Sequence, residues 1–144
     1  MKKIITIAMI VMFLPLQSLY SKIMRFEIRG VNSADKLENL NPEKWAWLPA
    51  GIGARVDFWI SNERIYRIIF YTPGTSNSSD KYATFEVTEA YAENNTDFFR
   101  GTWNNIPTEI RLFEEKSDGI SYYVISSENK ESYVLFFTKF IGTY

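Results

Sequence analysis

Few of the side chains that carry enzyme chemistry occur in this sequence of 144 residues, because it contains no histidine and no cysteine. Without them, Ser-His-acid triads, Cys-His dyads and the usual zinc sites cannot form. Paired glutamates are the remaining acid-base candidates: Glu86 with Glu89, Glu114 with Glu115, and Glu128 with Glu131. Each pair falls on a polar strand face or in a turn, whereas catalytic carboxylates need an environment that shifts their pKa. The sequence therefore predicts no enzyme, no cofactor and no bound metal.

Binding is better supported than catalysis, because aromatic residues make up 17% of the chain. Trp45 and Trp47 would point to the same side of an extended segment, where they could plug the end of a barrel or stack on a ligand. Arg67 and Arg100 lie between apolar neighbours in strands. Pointing inward, either could hold a ligand carboxylate; pointing outward, it would cover apolar surface with its stem. The candidate ligand-binding residues are Trp45, Trp47, Arg67, Arg100, Trp103 and Tyr122.

A second candidate surface lies on the polar face of the segment from residue 55 to 71. Trp59 falls between Asp57 and Ser61 on that face, and the following strand adds apolar side chains to it. An exposed apolar patch of this kind often marks a binding surface, although cover by the loop from residue 31 to 53 explains it equally well. The candidate patch residues are Trp59, Ile65, Ile69 and Tyr71.

The elements that must position these residues are β-strands. Between residues 55 and 71, apolar and polar side chains alternate on both sides of a polar break at 61–64, which predicts a hairpin with one buried face. Similar alternation recurs along the chain at spacings of about 10 to 15 residues, with turn-forming sequences such as Asp118-Gly119 between the segments. Gly101 interrupts one strand at a point where a neighbour or a bend must fit. Eight strands are predicted in all.

Consecutive hairpins without helices favour an all-β domain whose sheet closes on itself, since closure removes exposed sheet edges. We therefore predict an eight-stranded antiparallel up-and-down barrel, with a two-sheet β-sandwich as the alternative. The barrel would occupy residues 22–144 as a single domain.

The first 21 residues have the composition of a signal peptide, since Lys2 and Lys3 precede an apolar run from Ile4 to Leu16 that is too short to span a bilayer. An uncleaved N-terminal anchor is the alternative. Export without disulfides is typical of a bacterial secreted or periplasmic protein. The formal net charge of −1 offers no basic surface for nucleic acid.

Several short motifs in the second half of the chain carry a family resemblance: Gly101-Thr102-Trp103, Ile110-x-Leu112, Asp118-Gly119, Tyr122-x-Val124 and Val134-x-Phe136. Over about 40 residues they resemble the small secreted bacterial lipocalin-like proteins. The resemblance implies a calycin-type barrel with an apolar cavity, and it implies no particular ligand.

Three functions fit these features. The first is a secreted, non-enzymatic barrel that binds a small apolar or amphipathic ligand. The second is a protein-recognition or inhibitor module that uses the outer aromatic patch. The third is an outer-membrane barrel whose apolar faces meet lipid, although many strands are shorter than a membrane-spanning strand requires; beyond export, we expect no membrane association.

Overall fold

The structure is a computed structural model that describes residues 21–39, 46–49, 51–115 and 119–144. The predicted signal peptide, apart from Ser21, lies outside the described residues, as do Trp45 and Asp118. Within the described ranges there are nine β-strands and one 3-10 turn, Leu37–Asn39. The strands are β1 (Lys22–Ala34), β2 (Ala46–Trp47), β3 (Arg55–Ser61), β4 (Arg64–Thr72), β5 (Lys81–Glu93), β6 (Thr96–Trp103), β7 (Ile106–Glu114), β8 (Ser121–Glu128) and β9 (Ser132–Thr143).

Eight of the strands form a closed antiparallel barrel in chain order, which confirms the predicted fold. Closure comes from β1, which is long enough to pair with β3 through its first half and with β9 along most of its length. The two-residue strand β2 was not predicted; it pairs with β1 at Gly30 and Val31, beyond the part of β1 that β3 covers.

Tight turns fix the register of the hairpins. In the turns after β3, β5 and β6, both central residues have positive φ, as a two-residue hairpin requires: 50° and 69° at Asn62 and Glu63, 50° and 62° at Asn94 and Asn95, and 48° and 64° at Asn104 and Asn105. Asparagine tolerates this left-handed conformation better than most residues, which explains its recurrence at these positions.

The centre of the barrel is filled by side chains. The ring of Phe26 lies 5.3 Å from that of Phe58, 5.2 Å from that of Tyr122 and 5.2 Å from that of Phe140, mostly in edge-to-face or tilted geometry. Such contacts stabilise a core beyond the burial of apolar area. The largest fully buried apolar side chains around these rings are Met24, Ile60, Ile68, Phe85, Ile110 and Leu112.

Several charged side chains form ion pairs on the outer face of the barrel, some across strands and one along β3. Arg25 and Arg55 both bind Asp57, and Arg67 binds Glu86. Among the described residues, no helix is long and apolar enough to cross a membrane.

Gly101 has the role that its place in the sequence predicts. Its inward-facing position on β6 lies against a bulge in β5 between Val87 and Glu89, and an added Cβ would overlap the backbone carbonyl group of Glu86. Only glycine lets the two strands approach this closely.

Candidate ligand-binding site

An open cavity of about 690 Å³ lies at one end of the barrel, where β1, β6 and β8 end and β5 and β9 begin. We call this the loop end, and the opposite end, which carries the β3–β4 and β5–β6 turns, the hairpin end. The volume lies within the range of pockets that hold small molecules. Apolar side chains from four strands form the floor: Ile28, Phe70, Trp103, Val134 and Phe136.

The cavity exists because some inward positions near the loop end carry small side chains. Ala83 on β5 pairs with Phe70, and Ser126 on β8 pairs with Val134, so each pair has one small and one larger member. One inward position further from this end, Phe85 and Val124 are fully buried and fill the barrel. The cavity is therefore a shallow depression at the open end of a barrel whose interior is packed.

Three aromatic rings are grouped in the floor. The ring of Phe70 lies 6.1 Å from the indole of Trp103 and 5.1 Å from the ring of Phe136, with interplanar angles of 41° and 40°. Phe70 is buried, whereas Trp103 and Phe136 are partly buried and pack against the core. Such tilted rings give a ligand a stiff apolar surface.

Polar and charged side chains form the rim. Asp80 is held in place by two hydrogen bonds, since the backbone N–H of Gly74 donates to Oδ1 at 2.6 Å and the hydroxyl of Tyr71 donates to Oδ2 at 2.9 Å. The Gly74 hydrogen bond, together with that from Tyr71, lowers the pKa of Asp80, so its carboxylate is ionised at neutral pH. Lys81 and Glu128 complete the charged part of the rim.

Of the predicted ligand-binding residues, Trp103 lines the cavity and Tyr122 does not. Tyr122 is only 4% exposed and packs in the core against Phe26 and Phe140. Tyr122 faces inward, as the alternation along β8 predicts, but it lies one layer of side chains below the floor of the cavity.

The hypothesis that Arg67 or Arg100 points inward is wrong. Arg67 Nε donates to Glu86 Oε1 at 3.0 Å, and Arg100 Nε donates to Glu109 Oε2 at 3.1 Å. Both guanidinium groups lie on the outer face. There each binds the glutamate that pairs with its residue on the neighbouring strand. Neither can hold a ligand in the cavity.

Trp47 is also outside the cavity. It is 61% exposed, and its ring contacts that of Phe137 at 5.8 Å. Phe137 and Trp47 both pair with Gly30 on β1, from opposite sides, and the missing side chain of this glycine lets the two rings meet across it. The predicted partner of Trp47, Trp45, lies outside the described residues.

The outer patch is smaller than predicted, because Ile65 belongs to the core and is 7% exposed. A bulge between Trp59 and Ile60 pairs Ile60 with Ile65, which turns Ile65 inward against the simple alternation. The other predicted members, Trp59, Ile69 and Tyr71, are half-buried on the outer face. Tyr71 packs under the guanidinium of Arg55 at 4.1 Å and beside the ring of Tyr82 at 4.9 Å.

Another open depression, of about 710 Å³, lies at the hairpin end. The described residues that line it are Ser61, Asn62, Arg64 and Tyr66, which offer one ring and no aliphatic floor. Among the described residues, no group of three or more acidic side chains is placed to hold a metal ion. The loop-end cavity is therefore the better candidate site.

Sequence reasoning missed Phe70, Phe136 and the rim residue Asp80. Alternation marks the two phenylalanines as inward, but it does not say which inward residues reach the end of the barrel. A usable signal was the small residues Ala83 and Ser126 at otherwise large inward positions.

Searches with this chain against protein-family models, curated proteins and solved structures find no match. The closed eight-stranded barrel is compatible with a lipocalin-like fold.

Proposed function

We propose that this protein is an exported, non-enzymatic, lipocalin-like barrel that binds a small amphipathic ligand at its loop end. The observation that carries the proposal is the open cavity, in which an aromatic and aliphatic floor is surrounded by a charged rim. An amphipathic molecule matches this division, because its apolar part would cover the floor while its polar head stays at the solvent-exposed rim.

The size of the site sets the expected affinity. A chain that buries about eight methylene groups gains roughly 6 kcal/mol. Part of that gain is offset by the loss of translational and rotational freedom, and contacts with the three rings add to it. We therefore expect dissociation constants of about 1 to 100 μM for simple amphiphiles.

The packed interior determines where the ligand lies. Because Phe26, Phe58 and Phe85 are fully buried and fill the barrel, a long chain cannot pass through the centre. The ligand would be short or would extend from the mouth into solvent.

Isothermal titration calorimetry with decyl maltoside, below its critical micelle concentration, tests the proposal. Ala83→Leu fills the cavity from its wall and is expected to weaken binding at least tenfold, whereas Thr84→Leu places the same side chain on the exposed face of the same strand and should leave binding unchanged. Ser126→Leu is a second filling variant on a different strand. Circular dichroism establishes that each variant folds.

Two results would contradict the proposal. One is the absence of a saturable binding heat for the wild-type protein with any amphiphile tested. The other is equal affinity of the folded Ala83→Leu and Ser126→Leu variants and the wild type.

A further inference from the structure

The rim of the loop-end cavity carries more acidic than basic charge. Its charged members are the carboxylates of Asp80 and Glu128 and the ammonium group of Lys81. In the part of the chain that the structure describes, neither carboxylate forms an ion pair within 4 Å with Lys81 or with any other cation, although Arg55 on the outer face attracts Asp80 at longer range. An anionic head group would meet repulsion from two sides of this rim.

One of the two carboxylates is fixed in position before any ligand binds. Asp80 accepts hydrogen bonds from Gly74 on one oxygen and from Tyr71 on the other. A group held in this way loses little conformational freedom when it contacts a ligand. Glu128 faces the cavity from the end of β8, two residues after Ser126 on the same face of that strand.

The floor adds a second attraction for positive charge. The rings of Phe70, Trp103 and Phe136 line the cavity together. The faces of aromatic rings attract cations, and quaternary ammonium groups are bound by clusters of such rings, with tryptophan the strongest contributor. The aromatic rings of the floor and the carboxylates of the rim therefore both favour a positively charged head group.

We propose that the ligand is a cationic amphiphile, with a quaternary or tertiary ammonium head group held between the aromatic floor and the carboxylates of Asp80 and Glu128. This inference rests on the proposed function and specifies its ligand class. Lys81 opposes such a head group, but it is exposed and its long stem lets the ammonium group turn into solvent.

Three probes with the same ten-carbon tail separate this inference from the proposed function: decyltrimethylammonium, decanoate and decyl maltoside, each below its critical micelle concentration. Calorimetry at low salt is expected to give an affinity for the cation about tenfold above that for the carboxylate and clearly above that for the maltoside. If decanoate binds as tightly as the cation or more tightly, the inference is wrong and the proposed function stands. If none of the three binds, both fail.

Charge variants identify the side chains that bind the cationic head group. Glu128→Gln and Asp80→Asn should each lower the affinity for decyltrimethylammonium about threefold or more while leaving that for decyl maltoside unchanged, and Lys81→Gln should raise the affinity for the cation. Glu86→Gln, which removes a negative charge from the outer face, is the matched control and should change neither affinity. Equal losses of cation binding in Glu86→Gln and Glu128→Gln would overturn the assignment of the head-group site to the rim.

Discussion

The carboxylate of Asp57 accepts two parallel hydrogen bonds from the guanidinium of Arg25, at 2.9 Å from Nε and 3.0 Å from Nη2. Arg55 donates a third at 3.2 Å. Asp57 lies on the outer face of β3 but is only 5% exposed. The group therefore ties β1 to β3 next to the site where β1 closes the barrel.

Removing the Asp57 carboxylate is expected to destabilise the fold markedly. Asp57→Ala leaves two partly buried guanidinium groups without their acceptor and should lower the free energy of unfolding by about 2 kcal/mol. Glu86→Ala, which removes the partner of Arg67 where both side chains are about half exposed, is the control and should cost less than about 1 kcal/mol. Urea unfolding measures both; equal losses would show that the Asp57 pair is no stronger than a surface pair.

The turn between β3 and β4 offers a stabilising change. Glu63 has a φ of 69°, which costs a residue with a Cβ about 1 kcal/mol relative to glycine. Glu63→Gly is expected to raise the free energy of unfolding by about 0.5 to 1 kcal/mol, seen as a higher urea midpoint at an unchanged slope. Asn62→Gly is the matched control with a smaller expected gain, because asparagine tolerates the left-handed conformation. A loss of stability in Glu63→Gly would contradict the turn geometry.

Asp97 makes the stability depend on pH. It lies on β6 and is 3% exposed, and burial raises its pKa to about 6. Between about pH 4 and pH 6 the folded state therefore binds more protons than the unfolded state, so the contribution of this group to stability falls as the pH rises through that window.

Asp97→Asn is expected to remove this dependence. The variant should be more stable than the wild type by about 1 kcal/mol at pH 7.5, and the difference should shrink toward zero at pH 4.5. Thermal unfolding at several pH values measures it, with Glu93→Gln on the exposed end of the same hairpin as the control. A difference that is constant with pH would show that ionisation of Asp97 does not couple to folding.

The fold could be predicted because its signals are local. Alternation with a period of two marks each strand, and short asparagine-rich turns between strands leave few topologies other than an antiparallel barrel. Ile65 was misplaced because a bulge shifts the register by one residue, and no signal in the sequence fixed the position of that bulge.

The candidate site was less predictable, because it depends on which residues meet across strands. Arg67 and Arg100 lie on the outer face, where they bind acidic partners on neighbouring strands. Trp47 lies outside the cavity because β2 pairs with β1 at Gly30, a contact between parts of the chain that are distant in sequence. Trp103 was identified as a candidate from its residue type, but its neighbour Phe70 comes from a strand that is not adjacent to β6.

The floor of the cavity can be tested at a single side chain. Trp103→Ala removes the indole next to Phe70 and is expected to weaken the binding of decyl maltoside about tenfold, because a stacked ring contributes roughly 1 kcal/mol or more beyond its buried area. Trp59→Ala, on the outer face, is the control for the general loss of a tryptophan. Calorimetry gives both affinities, and a greater loss in the Trp59 variant would move the site to the outer patch.

The central claim, that the loop-end cavity binds an amphipathic ligand, is tested most directly by mapping where a ligand binds. Amide chemical shifts in ¹H–¹⁵N spectra would be followed while decyl maltoside is added below its critical micelle concentration. The account predicts saturable shifts concentrated at Phe70, Ala83, Trp103 and Phe136, and their loss in Ala83→Leu. Shifts concentrated at the hairpin end or around Trp59, or no saturable shift at all, would contradict it.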